Sequence, residues 1–400
     1  MLGIFVGRVP IYDRQLEVAG YEVLLHKYKT DHSEYIDDDL TTSQVILNTF
    51  MEIGLHRIVG DGLAFIKLSR NFILEKYPLK LLHDLIVLEV HENMKLDDEL
   101  IEALRFLSKQ DFQIALDDVI DLDEVKHLID IINIVKLDFA TLGQSRLEEI
   151  IPNLRQYKNI KLLAENIETL DDFDICTRLG FDYYQGFFLC QPNIVSEHRM
   201  PASRTNTLRL LAKLHEPKIE FRDLEKIIRG DVSLSYRLLR LINSAFYARP
   251  KNIKSIHHAL TLLGLRRVQD WVSMLLLSNI EEKPRELVYT AMERAKMCEI
   301  LSIALKKQKF EMGFLVGMFS VLDALLDMPL EKILLSLPLG KEITSAILYH
   351  KGFLGSILHC VLAYERGEWE EATLSGIDPE TIRNAYLESL DWATAIGSLV

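Results

Sequence analysis

Charged and polar side chains close most of the short apolar runs in the first half of the chain. In chain order they are Glu22, Lys67, Glu92, Asp117 with Asp118, Lys136 with Asp138, Glu165 with Glu168, and Gln185. A single carboxylate at a strand end often caps the next helix or is simply solvated. Several carboxylates that converge repel each other unless cations lie among them. Mg²⁺ and Mn²⁺ suit an all-oxygen site, and two such ions can activate water against a phosphodiester. These residue types therefore indicate metal-assisted phosphodiester hydrolysis.

The elements that must position these side chains are alternating strands and helices. The strand-like runs are 4–12, 18–25, 62–68, 85–90, 113–116, 132–137, 161–163 and 183–190. Amphipathic helical patterns fill gaps between them at 43–53, 98–107, 146–156 and 169–179. This alternation predicts a compact TIM-like (β/α) barrel. In such a barrel the chemistry lies at the carboxyl ends of the strands, where the charged residues fall.

The pattern changes after Gln191-Pro192. Strand-like alternation disappears, and Leu, Ile and Ala recur at helical spacing from residue 205 to residue 399. The stretch 193–202 is polar and interrupted, which is typical of a boundary. A chain of 400 residues also exceeds the size of one hydrophobic core. We therefore expect an α/β barrel domain over 1–195 and an all-α domain over 200–400.

Composition and charge limit the partners and the location. The formal net charge of −13 argues against a nucleic-acid partner, although it leaves room for a local basic patch. The longest apolar run, 313–322, stops at Asp323 and is shorter than the roughly 20 residues that cross a bilayer. The N-terminus has neither a basic segment nor a cleavage site for secretion. We expect a cytoplasmic protein without membrane insertion.

Seven short motifs in the first half resemble, in their order, those of the EAL-domain cyclic-di-GMP phosphodiesterases. They are Val9-Pro10-Ile11, Gly20-Tyr21-Glu22-Val23-Leu24-Leu25, Leu88-Glu89-Val90-His91-Glu92, Ala115-Leu116-Asp117-Asp118, Val135-Lys136-Leu137-Asp138, Ala164-Glu165-Asn166-Ile167-Glu168-Thr169 and Gln185-Gly186-Phe187. The resemblance implies a metal-dependent barrel enzyme that uses Mg²⁺ or Mn²⁺ and acts on cyclic-di-GMP.

The resemblance also implies a role for each matching residue. The implied metal ligands are Glu22, Glu92, Asp117 and Asp118. Lys136 is expected to position a metal-bound water, and Glu165 is expected to act as the general base. Glu168 and Gln185 are expected to support the ligand site.

Several positions depart from the family pattern. His26 stands where the family has an arginine that contacts ligand phosphate, and Val9 replaces a glutamine that contacts substrate. The glycine-rich loop that follows the two aspartates in the family is replaced by 119–122. Lys67, two residues before Ser69, replaces a metal-binding asparagine. An inward Lys67 repels a divalent ion about 4 Å away by about 4 kcal/mol per unit of ionic charge at an effective dielectric of 20, and it neutralises carboxylates itself. An outward Lys67 leaves the metal site intact.

The second half resembles the HDOD domain, a helical relative of the HD phosphohydrolases. The resemblance is carried by the run from Asp231 to Phe246 and by Leu263-Gly264-Leu265-Arg266-Arg267. An HD hydrolase needs a His-Asp pair, and the sequence after Gln191 has no His-Asp dipeptide. We expect a protein-interaction role here, with basic residues Arg237, Arg240, Arg266 and Arg267 either at the interface or simply solvated on helix faces.

Two functions follow from these patterns. The favoured one is a signal transduction protein related to cyclic-di-GMP, in which a degenerate barrel senses a nucleotide or partner and the HDOD domain is the output. In that case no metal is required. The alternative is an active phosphodiesterase that uses Mg²⁺ or Mn²⁺ and converts cyclic-di-GMP to linear pGpG. A weaker third possibility is that cyclic-di-GMP no longer binds and both domains are protein scaffolds.

Overall fold

The computed structural model describes most of the barrel and much of the helical half. The described residues are 3–28, 54–74, 84–91, 94, 96–119, 126–190, 208, 210–214, 219–229, 238, 256–278, 284–305, 310–335 and 339–397. The predicted helix at 43–53 and the predicted boundary at 193–202 lie outside these ranges. So do Glu92, the loop at 120–122 and, apart from Leu238, the motif at 231–246.

Eight strands close into a barrel in sequence order. They are β1 (Gly3–Tyr12), β2 (Val18–Tyr28), β3 (Leu63–Lys67), β4 (Ile86–His91), β5 (Gln113–Asp117), β6 (Ile134–Asp138), β7 (Lys161–Glu165) and β8 (Tyr183–Gln185). From β2 to β8 all neighbours are parallel, whereas β1 is antiparallel to both β2 and β8. The predicted TIM-like barrel is therefore confirmed, with a hairpin in place of its first strand-helix-strand crossover.

The last strand is shorter than the predicted run 183–190. It ends at Gln185, and a 3₁₀ turn follows at Phe188–Cys190. Gly186 explains the change of direction, because its φ of 152° and its close approach to the Ile167 backbone leave no room for a side chain. Hydrophobic periodicity alone does not reveal such a backbone contact.

Helices pack around the barrel strands. They are α1 (Leu55–Val59), α2 (Arg70–Leu74), α3 (Asp98–Ser108), α4 (Phe139–Leu154) and α5 (Leu170–Leu179). Side-chain caps define several starts: Asp97 accepts from Leu100 N at the start of α3, and Thr169 and Asp172 form a capping box at the start of α5.

Residues from three separate parts of the sequence build the compact unit that contains the barrel. This barrel unit comprises Met1–Gln191, Pro284–Glu286 and Leu362–Asp391. The helical unit comprises Pro192–Lys283, Leu287–Val361 and Trp392–Val400. The residues from 362 to 391 thus lie between two segments of the helical unit in the chain but belong to the barrel unit.

The described elements after residue 191 are helices, together with one isolated bridge between Leu374 and Ile377. They are α6 (Phe221–Arg229), α7 (Ile256–Leu263), α8 (Leu265–Ser278), α9 (Arg285–Ala304), α10 (Phe310–Phe319), α11 (Leu322–Leu326), α12 (Leu330–Leu335), α13 (Lys341–Tyr349), α14 (Gly352–Arg366) and α15 (Pro379–Gly397). The predicted loss of strands in the second half holds for these described residues.

One stretch is long and apolar enough to be considered as a membrane span. It is Lys341–Arg366, with a mean hydropathy of 1.3. Half of the most apolar 18-residue window in this stretch is buried within the structure. His350, with a φ of 50°, separates α13 from α14 within the stretch. Core helices of soluble proteins meet the same criterion, so the stretch is weak evidence for a membrane span.

Candidate functional site

A layer of apolar side chains inside the barrel determines which residues face the site. This layer consists of Ile11, Phe65, Val87, Ala115, Ile134 and Leu163. Strand side chains alternate between faces, so the residues two positions further along also point inward. On β3 to β7 these residues are Lys67, Glu89, Asp117, Lys136 and Glu165. The fold thus places three acids and two lysines at the carboxyl ends of adjacent strands, a region called the mouth below.

Lys136 lies at the centre of the mouth, and its side chain is fully buried. Its Nζ is 2.7 Å from an oxygen of Glu89 and 2.7 Å from an oxygen of Glu165. Asp117 Oδ1 follows at 3.4 Å and Glu22 Oε2 at 3.6 Å. Burial alone lowers the pKa of Lys136, but the nearby acids, Glu89 first, raise it well above 10.5. The side chain is therefore a fixed positive charge among four carboxyl groups.

Lys67 supplies a second ammonium group. Its Nζ lies 2.7 Å from Asp117 Oδ2, and 48% of its side chain is exposed. Asp117 is thus between two lysines. Burial raises the pKa of Asp117, but Lys136 and Lys67 outweigh that effect and hold it at about 2. Together, Glu22, Glu89, Asp117, Asp118 and Glu165 are called the acid cluster. The side chain of Lys67 points toward this cluster.

Two other carboxyl groups of the acid cluster have raised pKa values, in contrast to Asp117. Burial, reinforced by Glu22 and Asp117, raises the pKa of Glu89 to about 8 despite Lys136. Burial likewise raises the pKa of Glu165 well above 4.5, although Lys136 opposes it. Glu89 Oε2 is buried and has no hydrogen-bond partner among the described residues. Burial and the neighbouring acids therefore favour the protonated forms of Glu89 and Glu165, and the two ammonium groups do not cancel this effect.

Polar contacts at the rim hold the remaining members of the acid cluster. Gln185 Nε2 donates to Glu22 Oε2 at 2.5 Å. His91 Nε2 lies 2.9 Å from Asp118 Oδ2. Asp118 has a φ of 55°, a left-handed conformation that is uncommon for residues other than glycine. Such local strain is often found at functional sites, where the surrounding structure enforces it.

The donor set fits a divalent cation in one part of the acid cluster. Carboxylate oxygens of Asp117, Asp118 and Glu165 lie within 4.8 Å of one another. Hard cations such as Mg²⁺ prefer such oxygen ligands, and the unpartnered Glu89 oxygen also favours a positive charge nearby. The ammonium group of Lys67 competes for Asp117, because it already contacts Oδ2 of this carboxylate.

The structure places some, but not all, of the residues predicted from the sequence at the mouth. Glu22, Asp117, Asp118, Lys136, Glu165 and Gln185 come together there. Glu168 is exposed in the loop before α5, and no ion pair of this residue occurs among the described part of the chain. Glu92 lies outside the described residues, so its role as a metal ligand stays a prediction.

Sequence reasoning missed Glu89 and His91. Glu89 interrupts an apolar run in the middle of β4, and it pairs in register with Lys67 on β3. A charged residue inside a strand whose neighbours are all buried is unusual, because isolated charges are costly to bury. This signal is present in the sequence, although Glu89 lies within β4 and not at its end, where barrels carry their chemistry.

Comparisons with known proteins match both parts of the chain. Residues 65–192 match the family model of the EAL domain, and residues 200–326 match that of the HDOD domain. The "Cyclic di-GMP phosphodiesterase CdgJ" of Vibrio cholerae is 30% identical over 408 residues, covering 100% of this chain and 94% of that protein. The "Uncharacterized protein YuxH" of Bacillus subtilis is 28% identical over 401 residues, covering 97% and 98%.

Solved structures with an EAL domain are also similar. One is the Bacillus subtilis YkuI protein, described as in complex with substrate c-di-GMP and calcium. It has 18% sequence identity and a TM-score of 0.39, covering 58% of this chain and 72% of that chain.

Proposed function

Because this chain belongs to the family of bacterial signalling proteins that join an EAL domain to an HDOD domain, we propose that it senses cyclic-di-GMP with little or no hydrolysis. In this proposal the barrel is a degenerate EAL module that binds the nucleotide or a partner. The HDOD domain passes the signal to a protein partner. The names of the relatives support the link to cyclic-di-GMP, and the acid cluster supports weak or absent catalysis.

The contact between Lys67 and Asp117 is the observation that carries this proposal. A lysine ammonium about 4 Å from a divalent ion is repelled by about 4 kcal/mol per unit of ionic charge at an effective dielectric of 20. Lys67 Nζ is 2.7 Å from an oxygen of Asp117, one of the proposed metal ligands. A metal ion at Asp117 must therefore displace this ammonium or bind beside it.

The state of Glu165 also supports weak catalysis. A general base must be ionised when it accepts a proton. Burial raises the pKa of Glu165 well above 4.5, which disfavours the ionised form that a base needs. Lys136 contacts it at 2.7 Å and opposes this effect without cancelling it. A further positive charge nearby would favour the ionised form of Glu165.

The alternative function is metal-dependent hydrolysis of cyclic-di-GMP. It is supported by the name of the Vibrio cholerae relative and by the convergence of Asp117, Asp118 and Glu165. In this case Glu22, Asp117, Asp118 and, as predicted from the sequence, Glu92 would hold the metal, which would supply activation of a water molecule. Glu165 would serve as the general base, Lys136 would position the water, and Gln185 and Glu168 would support the ligand.

The HDOD domain is proposed as the output on a simpler ground. The sequence of this half contains no His-Asp dipeptide for a hydrolytic metal site. Arg266 and Arg267 are exposed near the start of α8, so they are accessible to an acidic partner surface. An interaction role requires nothing more than such a surface.

Exchange of Lys67 for the neutral amide Asn tests the proposal. We expect the native protein to bind Mg²⁺ and Mn²⁺ weakly in calorimetric titrations, and Lys67→Asn to bind at least about ten-fold more tightly. Lys158→Asn, which alters an exposed lysine, is the matched control and should leave metal affinity unchanged.

Hydrolysis of cyclic-di-GMP by the same proteins separates the two functions. The sensor proposal predicts slow or no formation of pGpG by the native protein with either metal. Tight metal binding by the native protein together with rapid, metal-dependent turnover would refute it and establish the alternative.

A further inference from the structure

The hairpin of β1 and β2 extends beyond the barrel at the mouth. β2 pairs with β3 only from Gly20 to Val23, and β1 pairs with β8 only at Ile11 and Tyr12. β2 then continues to Tyr28, and within the described ranges this part of the strand pairs with β1. At about 3.3 Å per residue, the five residues after Val23 extend roughly 17 Å. Because β2 is parallel to β3, this extension lies on the side where the strands carry the acid cluster.

One face of the extension continues the inner wall of the barrel. Glu22 points inward, since its carboxylate is 3.6 Å from Lys136. Side chains on the same face recur at every second residue, and partners across the ladder share a face. The residues on this face are Leu24 and His26 on β2 and Val9, Gly7 and Phe5 on β1. Their side chains therefore border the mouth rather than the outer surface.

Trp369, from the end of the chain, covers this face. Its ring is nearly parallel to that of Phe5, with centroids 5.4 Å apart and an interplanar angle of 7°. It is also nearly parallel to the His26 ring, at 5.8 Å and 12°. A Cβ atom on Gly7 would lie 3.1 Å from the indole. Glycine inside a strand commonly marks the close approach of another group, and here the group is Trp369.

Tyr364 attaches the same segment to the open edge of β1. Its hydroxyl donates to Val6 O at 3.0 Å and accepts from Val6 N at 3.3 Å. The Tyr364 side chain is fully buried, and its ring meets that of Phe5 edge to face at 5.4 Å. The backbone groups of β1 that β8 does not pair are thus partly satisfied by this tyrosine.

Arg366 lies between these two anchors in sequence and reaches the segment that follows β8, the strand next to β1 in the barrel. Its guanidinium carbon is 5.8 Å from the ring centroid of Phe187. Phe187 comes two residues after Gln185, which contacts Glu22. Half of the Arg366 side chain is exposed, and its ion pair with the equally exposed Glu368 is long, at 4.0 Å. Such a pair contributes little energy and leaves the arginine available.

We propose that residues 364–369 form one wall of the ligand site and that Arg366 binds a phosphate of the cyclic dinucleotide. This inference rests on the proposed binding of cyclic-di-GMP. A mouth with five carboxyl groups and two ammonium groups repels a phosphodiester, so an anionic ligand needs a further cation at the rim. The planar guanidinium suits phosphate oxygens, and Trp369 holds the hairpin that carries Glu22 in place.

Equilibrium dialysis of the full chain with labelled cyclic-di-GMP tests the proposal. We expect Arg366→Ala to weaken binding by about ten-fold or more, the size of a lost charge-assisted hydrogen bond. Arg366→Lys keeps the charge but loses the fork, so it should fall between Arg366→Ala and the native protein. Arg146→Ala is the matched control, because Arg146 is also 51% exposed and ion-paired, on α4, and it should bind as the native protein does.

The outcomes separate this inference from the proposed function. If the native protein binds cyclic-di-GMP and Arg366→Ala binds equally well, the wall is wrong while the sensor function stands. If the native protein does not bind cyclic-di-GMP, the proposed function fails and the inference fails with it. Equal weakening by Arg146→Ala and Arg366→Ala would show a general charge effect and would also overturn the role of Arg366.

Discussion

The barrel unit buries carboxyl groups at two places that differ in how they are compensated. In the acid cluster, the ammonium of Lys136 lies within 3.6 Å of four carboxyl groups, and Lys67 adds a second charge. At the other place, the two oxygens of Glu286 each lie 3.1 Å from the hydroxyl of Tyr21, and Glu365 is a further acid nearby. Arg8, whose guanidinium carbon lies 4.2 Å above the Tyr21 ring, is a further positive charge nearby.

This difference indicates that the Glu286 site links two segments of the chain, whereas the acid cluster can bind a further positive charge. Burial, with a smaller effect of Glu365, raises the pKa of Glu286, while Arg8 and the Tyr21 hydrogen bond oppose it. The Tyr21 contact links Pro284–Glu286 to β2, and both oxygens of Glu286 have a hydrogen-bond donor. The acid cluster instead keeps a buried Glu89 oxygen without a hydrogen-bond partner among the described residues. Such excess destabilises the fold, which argues that it serves binding.

Removal of the central ammonium should have the largest effect. Lys136→Met leaves Glu89 and Glu165 buried without their shared partner, and breaking a buried ion pair costs about 3–5 kcal/mol. We expect a loss of this size in the free energy of unfolding of the barrel, measured by urea denaturation followed by circular dichroism. Lys161→Met, which removes an exposed lysine that donates to Tyr183, should change it by less than about 1 kcal/mol. Equal effects of the two variants would contradict the central role of Lys136.

The sequence was sufficient to predict the barrel and most of the mouth. Strand periodicity located all eight strands, because buried apolar runs between helical segments are a strong local signal. Asp117, Lys136 and Glu165 were found because they close their strands at the edge where barrels carry their chemistry. Glu89 was not found, because a residue within a strand is recognised as part of the site only when the inward face is known.

Contacts between distant parts of the chain could not be predicted. Tyr364 meets Val6 across 358 positions of sequence, and Trp369 covers Phe5 and His26. Helical periodicity shows that residues near 364 are buried, but it does not say against what. The predicted division at 195–200 stays a prediction, since the boundary segment lies outside the described residues.

Loss of the Tyr21 hydroxyl, which donates to Glu286, should have a smaller effect on the free energy of unfolding. Tyr21→Phe leaves the buried Glu286 carboxyl without this hydroxyl, and an unsatisfied buried acceptor costs about 1–3 kcal/mol. The same denaturation measurement should show this loss. Tyr183→Phe removes a hydroxyl that Lys161 contacts at the surface, and it should be nearly neutral. If Tyr21→Phe is as harmful as Lys136→Met, the two places do not differ as described.

A third test concerns the pH dependence of stability, and it originates in Glu89. Because the pKa of Glu89 rises from 4.5 to about 8 on folding, the folded state favours its protonated form. This contribution is fully present below about pH 4.5 and is lost as the pH rises through 8. Asp117 behaves in the opposite sense, since its pKa falls to about 2 and its contribution is lost only in acid. Between pH 5 and pH 9 the contribution of Glu89 to stability therefore changes with pH, while that of Asp117 stays constant.

Glu89→Gln places a neutral amide where the protonated carboxyl stood and removes the titration. With a chelator present to keep divalent metals away, we expect the urea midpoint of the native protein to fall between pH 5 and pH 9 more steeply than that of Glu89→Gln. The exposed Glu149→Gln on α4 should retain the native slope. If Glu89→Gln and the native protein lose stability in parallel, Glu89 is ionised throughout this range. In that case the two lysines compensate the acid cluster fully, and the cluster does not differ from the Glu286 site in this respect.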